Sequence, residues 1–229
     1  RVNTIEDDTY QLDKLHSLFK FSNVCNSIIS QVDAEKVYDT PWASLLSLPN
    51  LLNISPQNVL VKDKYLTVPK DRINKWERIL KKDKKPIVGI NWQGNPNVEK
   101  GNVKGRSIPL DEFKVLKSSS YKLLSLQKGY GLDDFEKCNF KEYFVNAQKD
   151  INNTLDFVDT AAIICCCDLV ITSDSMNVHL SGSLGKETWL LLKHVPDWRW
   201  GTKSNFTHWY SSLKPVSYTH LTLPTKVTV

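Results

Sequence analysis

The sequence has little glycine, one methionine and no long apolar run. Its 229 residues include nine glycines and ten prolines, which excludes collagen-like and low-complexity proteins. The longest apolar run, residues 161–167, is far shorter than the roughly 20 residues of a membrane-spanning helix. No charged-then-apolar signal segment follows Arg1, and because the first residue is not methionine we expect the chain to begin within a longer protein.

Neither sign of charge is in large excess over the other. Lysine and arginine number 30 against 25 aspartates and glutamates, which leaves a net charge of +5 spread along the chain. A nucleic-acid-binding protein would show a basic stripe interleaved with aromatic residues, so we expect no nucleic-acid partner. With 41% hydrophobic and 24% charged residues, the length suits one full globular domain plus part of another.

The five cysteines do not form a metal-binding pattern. Three are consecutive at 165–167, and side chains of adjacent residues point in different directions, so they cannot supply two ligands as a CxxC motif does. Cys25 and Cys138 have no histidine at ligand spacing. We therefore predict no metal site and no cofactor, with the cysteines as small buried hydrophobes in a reducing cytoplasm.

From Pro86 onward, short apolar segments alternate with helical patterns. Strands are predicted over residues 87–92, 121–126, 168–172 and 187–192, with a shorter one over 143–145. Helices are predicted over residues 109–116, 153–166 (with Asp156 as cap) and 173–184. This alternation is typical of the α/β class, here a Rossmann-like parallel sheet covered on both faces.

The first 80 residues are less regular. The pattern predicts an apolar helix around residues 45–48, a hairpin or edge strand over 58–68, and a polar helix over 71–82. The lysine-rich run at 81–85 indicates a solvated connector. We therefore divide the chain into a remnant of a preceding domain with its connector helix (1–82), an α/β domain (83–205) and a tail (206–229).

Ligands bind outside the carboxyl ends of parallel strands, and three predicted strand ends carry polar side chains. After the strand at 168–172, Asp174, Ser175 and Asn177 open a helix, and His179 lies four residues beyond Ser175 on the same face. The positive end of a helix favours phosphate, which His179 could then reach. The alternative is that Asp174 only caps the helix and His179 packs beneath the sheet.

The other two strand ends carry weaker signals. Gln93 follows the first strand, with Arg106 further on as a bidentate phosphate ligand, and Gln127 and Lys128 follow the second. Solvated loops are the alternative for each. Neither GxGxxG nor GxxxxGK[ST] is present, and the glycine–lysine pair at 185–186 ends a helix, the wrong polarity for a P-loop. Together the three ends favour an anionic, nucleotide-like ligand.

Seven motifs follow one another in a fixed order: VGINWQGNP (88–96), RSIP (106–109), SLQK (125–128), DFVDTAA (156–162), DLVITSD (168–174) with HL (179–180), LGKETWLLL (184–192) and PDWRW (196–200). In this order they resemble the C-terminal half of family-nine glycosyltransferases, the heptosyltransferase-like group. The resemblance covers about residues 38–210. It is greatest to the branch that is fused behind tetratricopeptide repeats in bacterial proteins.

The resemblance implies a GT-B architecture, in which two Rossmann-like domains face each other across a cleft and the C-terminal one holds a nucleoside-diphosphate sugar. Position by position, it implies that Asp174, Ser175 and His179 lie at the diphosphate and sugar. The candidate donor-binding residues are Gln93, Arg106, Gln127, Lys128, Asp174, Ser175, Asn177 and His179.

The resemblance also implies inverting transfer without a metal ion, which agrees with the lack of a DxD motif. The general base of such enzymes is a carboxylate of the N-terminal domain, expected upstream of Arg1, so no catalytic residue is assigned. The acceptor would be a saccharide or a protein. We expect a cytoplasmic protein without a transmembrane segment.

Two other functions are alternatives. A non-catalytic α/β interaction module of a tetratricopeptide-repeat protein would keep the fold without the activity. A Rossmann-like oxidoreductase is disfavoured because no glycine fingerprint follows residues 87–92. The resemblance stops after Lys214, and residues 217–229 read as translated adapter sequence, which we expect to be non-native and unpacked.

Overall fold

A five-stranded parallel sheet organises the chain. The computed structural model describes residues 15–24, 27–29, 31–37, 39, 41–44, 47–55, 57–59, 63–80, 84–101, 104–154, 156–201 and 206–217. The strands are β1 (Ile87–Asn91), β2 (Lys122–Ser125), β3 (Leu169–Ser173), β4 (Thr188–Leu192) and β5 (Leu213–Ser217). Their order is β2-β1-β3-β4-β5, and every neighbouring pair is parallel. The predicted α/β class with a Rossmann-like parallel sheet is confirmed.

Helices surround this sheet. They are α1 (15–22), α2 (Gln31–Ala34), α3 (Leu48–Leu51), α4 (Lys70–Leu80), α5 (Leu132–Lys137), α6 (Gln148–Asn152), α7 (Phe157–Cys166) and α8 (Met176–Ser183). Short 3₁₀ helices span Pro96–Val98, Leu110–Leu116 and Lys141–Tyr143. In the described part of the chain, none of the helices has the length and apolar character that crossing a membrane requires.

Strand β5 extends the sheet beyond residue 205, the predicted end of the α/β domain. It pairs with β4 from Thr188↔Leu213 to Leu192↔Ser217. Its sequence contains Pro215, which cannot donate to a strand ladder and is tolerated on edge strands. That proline, with charged and polar neighbours, is why the pattern did not predict a strand here.

Several predicted elements form with shifted bounds. Leu110, Phe113 and Leu116 are buried at a spacing of three, and the segment is a 3₁₀ helix, whose residues i and i+3 eclipse. Helix α7 begins at residue 157 and not at 153, because the Asp156 carboxylate accepts from the Val158 amide at 2.9 Å and caps it there. The strand predicted over 143–145 is reduced to one parallel bridge.

The hairpin or edge strand predicted over residues 58–68 is absent from residues 58–59 and 63–68, and residues 60–62 lie outside the described part of the chain. The amides of Tyr65 and Leu66 donate to the Ser183 carbonyl at the end of α8, at 3.1 and 3.0 Å. The helix expected near 45–48 lies at 48–51. Of residues 217–229, expected to be unpacked, Ser217 ends strand β5 and pairs with Leu192, whereas residues 218–229 lie outside the described residues.

The hydrophobic core fills both faces of the sheet. On one face, Ile87, Leu124 and Val170 pack against α7, and residues from the N-terminal segment (Leu18, Leu66, Trp76 and Leu80) join the same buried cluster. On the other face, Val88, Ile90 and Ile171 pack against the 3₁₀ segment and α5. Helix α4, predicted as part of a connector, thus contributes Trp76 and Leu80 to the core.

A buried carboxylate ties α4 to α7. The Asp159 side chain is 8% exposed, and its two oxygens accept from Arg72 Nη1 at 2.9 Å and Lys75 Nζ at 3.0 Å. Burial alone would raise the pKa of Asp159, but the hydrogen bonds from Lys75 and Arg72 outweigh burial and lower it. A carboxyl whose pKa is lowered by folding stabilises the protein above its unfolded-state pKa and loses that contribution as the pH falls through its folded-state pKa.

We predict that Asp159→Asn lowers the free energy of unfolding by on the order of 2 kcal/mol at pH 7, since both cations lose an ionised acceptor. The difference from the unsubstituted protein should shrink as the pH falls below about 4. Urea unfolding of both proteins at several pH values measures this difference in the free energy of unfolding. Asp133→Asn, at an exposed position, is the control, and a destabilisation that persists unchanged at low pH would contradict the ionic origin.

Candidate functional site

The topological switch point of this sheet lies between β1 and β3. The chain leaves β1 for β2 on one side and returns to β3 on the other, so a crevice opens between the carboxyl ends of these two strands. Asn91 ends β1 at this point and is buried. Its Oδ1 accepts from Ser175 Oγ at 2.7 Å and from Thr172 Oγ1 at 3.2 Å, and its Nδ2 donates to Gln127 Oε1 at 2.8 Å. One amide therefore links the ends of three strands.

Gln127 completes this link and has no capacity left for a ligand. Its Oε1 also accepts from the amides of Trp92 at 3.2 Å and Gln93 at 3.0 Å. Its Nε2 donates to the carbonyls of Gln93 at 2.9 Å and Tyr130 at 2.6 Å. The side chain is 2% exposed. Gln127, a candidate donor-binding residue, has a structural role here: it holds the loop after β1 against the loop after β2.

Ser175 caps α8 at the same point. Its backbone is extended, its Oγ accepts from the Asn177 amide at 3.3 Å, and its hydroxyl proton goes to Asn91. Because the cap is bonded to β1, the positive end of α8 is fixed relative to the sheet.

A cavity of about 960 Å³ opens beside this helix end. Its volume is at the upper end of what small-molecule sites enclose. Three loops supply its walls, following β1, β3 and β4. The lining residues are Gly101, Lys104, Arg106, Asp174, Ser175, Met176, His179, Lys193, His194, Val195, Pro196, Asp197, Trp198 and Arg199.

Positive charge dominates the lining. Lys104, Arg106, Lys193 and Arg199 contribute four cations, whereas the acidic residues are two, Asp174 and Asp197. Asp197 Oδ2 lies 3.4 Å from Arg199 Nη2. Lys193 Nζ donates to the Lys104 carbonyl at 3.0 Å and so connects the loop after β4 with the loop after β1. The cavity therefore suits an anionic ligand.

Arg106 owes its position to a glycine. Its guanidinium lies across the backbone of Gly94, where a Cβ would come within 2.7 Å of Nη2 and 2.9 Å of Cζ. Its Nε is 3.4 Å from Glu99 Oε1, and Glu99 also accepts from the Ser107 hydroxyl. Gly94 and Glu99 thus orient Arg106 at the cavity wall.

His179 is half-buried, and its ring is held by two aromatic residues. It stacks on Trp200 with ring centroids 5.3 Å apart and planes 30° apart, and its Nδ1 lies 3.1 Å from Tyr210 Oη. Burial lowers the pKa of His179, although the nearby Asp174 carboxylate opposes this. Burial therefore favours the neutral form of the imidazole.

The structure separates the eight candidate residues into two groups. Four line the cavity together: Arg106, Asp174, Ser175 and His179. The other four do not line it: Gln93, Gln127, Lys128 and Asn177.

Each of the four outside the cavity has another environment. Gln93 lies beside Gly131, where a Cβ would come within 2.9 Å of its Oε1. Lys128 Nζ donates to the Ile151 carbonyl, and burial lowers its pKa to about 8. Asn177 is buried, and its Nδ2 donates to the Leu126 carbonyl at 3.4 Å.

Sequence reasoning missed six charged or aromatic lining residues: Lys104, Lys193, His194, Asp197, Trp198 and Arg199. Lys193 and His194 directly follow β4, so the strand-end rule that identified Asp174 also applies to them. Among the described residues, no group of three or more histidine, cysteine, aspartate or glutamate side chains is arranged to hold a metal ion.

No family model and no curated protein matches this sequence. Two solved structures are similar to it. A glycosyl transferase family 9 structure from Veillonella parvula DSM 2008 has a TM-score of 0.47 and 15% identity, over 74% of this chain and 47% of that chain. E. coli ADP-heptose LPS heptosyltransferase II has a TM-score of 0.45 and 14% identity, over 71% of this chain and 47% of that chain. The chain spans about half the length of each.

We predict that Gln127→Leu lowers the free energy of unfolding by about 3 kcal/mol or more, because it leaves buried amides and carbonyls of two loops without partners. Denaturant unfolding followed by circular dichroism measures this. Gln57→Leu, at an exposed position, should change stability little. A Gln127→Leu protein as stable as the parent would show that the amide does not hold the strand ends together.

Proposed function

We propose that this chain binds a nucleoside-diphosphate sugar, as the donor side of a metal-independent, inverting glycosyltransferase of the family-nine type. The observation that carries the proposal is the meeting of Arg106, Asp174, Ser175 and His179 in one cavity at the switch point of the sheet. Arg106, Asp174 and His179 belong to motifs that resemble the family, Ser175 directly follows one of them, and the four are spread over positions 106 to 179 of the chain. The resemblance and the geometry thus point to the same place.

The charges of the cavity suggest how such a donor lies. A diphosphate develops negative charge as the sugar leaves, and Lys104, Arg106 and Lys193 with the positive end of α8 would stabilise that charge. The Asp174 carboxylate would repel a phosphate but accepts hydrogen bonds from hydroxyl groups, so it suits the sugar end. Trp198, 74% exposed at the cavity, offers a flat face on which a base or sugar can stack.

The donor side is one half of the proposed reaction. Inversion needs a general base that removes a proton from the acceptor hydroxyl, and in the proposed architecture a facing N-terminal domain carries it. The acceptor in this proposal is a saccharide or a protein. The chain would belong to a bacterial cytoplasmic protein that carries tetratricopeptide repeats.

We expect the chain to bind at least one member of a panel of ADP-, UDP- and GDP-sugars in isothermal titration calorimetry without added metal. Asp174→Ala and His179→Ala should each weaken that binding by about tenfold or more, since each removes a polar contact in a desolvated site. His208→Ala, at an exposed position outside the cavity lining, is the control. A well-folded chain that binds no member of the panel would favour the interaction module instead.

A second prediction tests the position of Arg106. Gly94→Ala places a methyl group where the guanidinium lies, so we expect it to weaken sugar-nucleotide and pyrophosphate binding about as much as Arg106→Ala does. Val98→Ala, at an exposed position of the same loop that does not line the cavity, is the control. Equal affinities for the parent and Gly94→Ala would show that Arg106 does not contact the phosphates.

A further inference from the structure

Trp198 lies exposed at the cavity, and two neighbouring side chains fix the orientation of its ring. The side chain is 74% exposed and belongs to the cavity lining. The Trp209 ring meets it edge to face, with centroids 6.2 Å apart and planes 82° apart. The guanidinium carbon of Arg199 lies 5.6 Å from the centre of the Trp198 ring, within the range of a cation–π contact. The indole is thus held in place before a ligand binds.

The backbone that carries Trp198 is also fixed. Asp197 Oδ1 accepts from the Arg199 amide at 3.0 Å, and the Asp197 carbonyl accepts from the Trp200 amide at 3.0 Å. Trp209 Nε1 donates to the Arg199 carbonyl at 2.9 Å. Trp200, the next residue but one, is buried and stacks on His179. Because this turn is already ordered, a ligand that stacks on Trp198 does not have to pay for ordering it.

Apolar side chains surround Trp198 at the mouth of the cavity. Met176 and Val195 also line the cavity and are 42% and 69% exposed, and Pro196 lies between Val195 and the turn. Hydroxyl groups that lose water against such a surface need hydrogen-bond partners, which these side chains do not offer. A flat aromatic group needs none on its faces. This wall therefore suits a nucleobase better than a sugar.

The other walls lead to the same assignment. In the donor geometry given above, Asp174 takes the sugar end and Lys104, Arg106 and Lys193 take the diphosphate. The diphosphate lies in the middle of a sugar nucleotide, so the nucleoside extends away from the sugar. Trp198 lies on the loop after β4, whereas Asp174 lies on the loop after β3. The base is the part of the ligand that remains for the wall formed by Trp198.

We propose that Trp198 binds the base of the donor by stacking, and that it selects bases by the size of their rings and not by the hydrogen-bonding groups at their edges. This inference rests on the proposed function, which supplies the sugar nucleotide as the ligand. An indole has two fused rings, so a purine covers more of it than a pyrimidine does and makes more favourable contacts.

The lining offers little that reads the edge of a base. Side chains that tell bases apart include the amides of asparagine and glutamine, and among the described lining residues neither occurs. The polar groups nearest to Trp198 are bonded to each other, since Asp197 Oδ2 lies 3.4 Å from Arg199 Nη2. Ser175 donates its proton to Asn91. Adenine and guanine should therefore bind about equally well.

Isothermal titration calorimetry with ADP, GDP, UDP, CDP and inorganic pyrophosphate tests the selection. We expect the affinities for ADP and GDP to agree within about threefold, and UDP and CDP to bind several-fold more weakly, because stacking on an aromatic residue follows the area of overlap. Pyrophosphate, which has no base, should bind most weakly. A difference of more than about tenfold between ADP and GDP would overturn selection by ring size.

Variants of Trp198 test the contact itself. Trp198→Ala should weaken binding of ADP and GDP by about tenfold or more and leave that of pyrophosphate unchanged, and Trp198→Phe should keep part of the affinity. Trp42→Ala is the matched control, because Trp42 is 89% exposed and does not line the cavity. Stacking also changes indole fluorescence, so ADP should alter the emission of the parent and not that of Trp198→Phe.

The outcomes separate this inference from the proposed function. Equal affinities of the parent and Trp198→Ala for every nucleoside diphosphate, or an equal loss for pyrophosphate, would overturn the base contact even if sugar nucleotides bind. Nucleoside diphosphates that bind through Trp198, with no sugar nucleotide of the panel binding, would support the base contact and overturn the proposed donor. A folded chain that binds none of these ligands, pyrophosphate included, would overturn both.

Discussion

The hydrogen bonds of one buried amide, that of Asn91, hold the site in place. A parallel sheet aligns its strands but leaves the loops at its carboxyl edge to be positioned by side chains. Asn91 connects β1 to the cap of α8 through Ser175 and to the β2 loop through Gln127. An amide suits this task because it donates and accepts at once, so it can join a hydroxyl donor and a carbonyl acceptor that lie on opposite sides. The loops can differ in sequence provided that this connection is kept.

The same connection explains why the cavity is charged and the network beneath it is neutral. The buried layer uses amides and hydroxyls, whose mutual hydrogen bonds satisfy each group without placing a charge away from water. The cations Lys104, Arg106 and Lys193 lie one layer further out, at the cavity wall. Charges at the edge of a low-dielectric region act on a ligand more strongly than they would in bulk water, at a smaller desolvation cost than full burial.

Much of the fold was predictable from the sequence, because strands β1 to β4 are short apolar runs separated by helical periodicity. β5 was not, since Pro215 and its polar neighbours are compatible with an edge strand only through its pairing with β4, which no local pattern reveals. The site was half predictable for a similar reason. The strand-end rule identifies polar residues such as Gln127 and Arg106 equally. Whether such a residue is buried beneath the cavity, as Gln127 is, or lines it, as Arg106 does, depends on partners in distant segments. These partners are Asn91 for Gln127 and Gly94 for Arg106. The hydrogen bond from Ser183 Oγ to Tyr65 Oη is likewise formed by tertiary packing, over 118 positions.

Pro215 has a consequence for the outer side of the sheet. The Thr188 amide donates to the Ser212 carbonyl, so by the alternation of a parallel ladder the amides of Lys214 and Val216 face β4 and position 215 faces outward. A proline there presents no donor to a strand arriving from another molecule, and the adjacent Lys214 is charged and paired with Glu187 at 2.8 Å. The last strand of the sheet is thus built to discourage edge-to-edge association between copies of the chain.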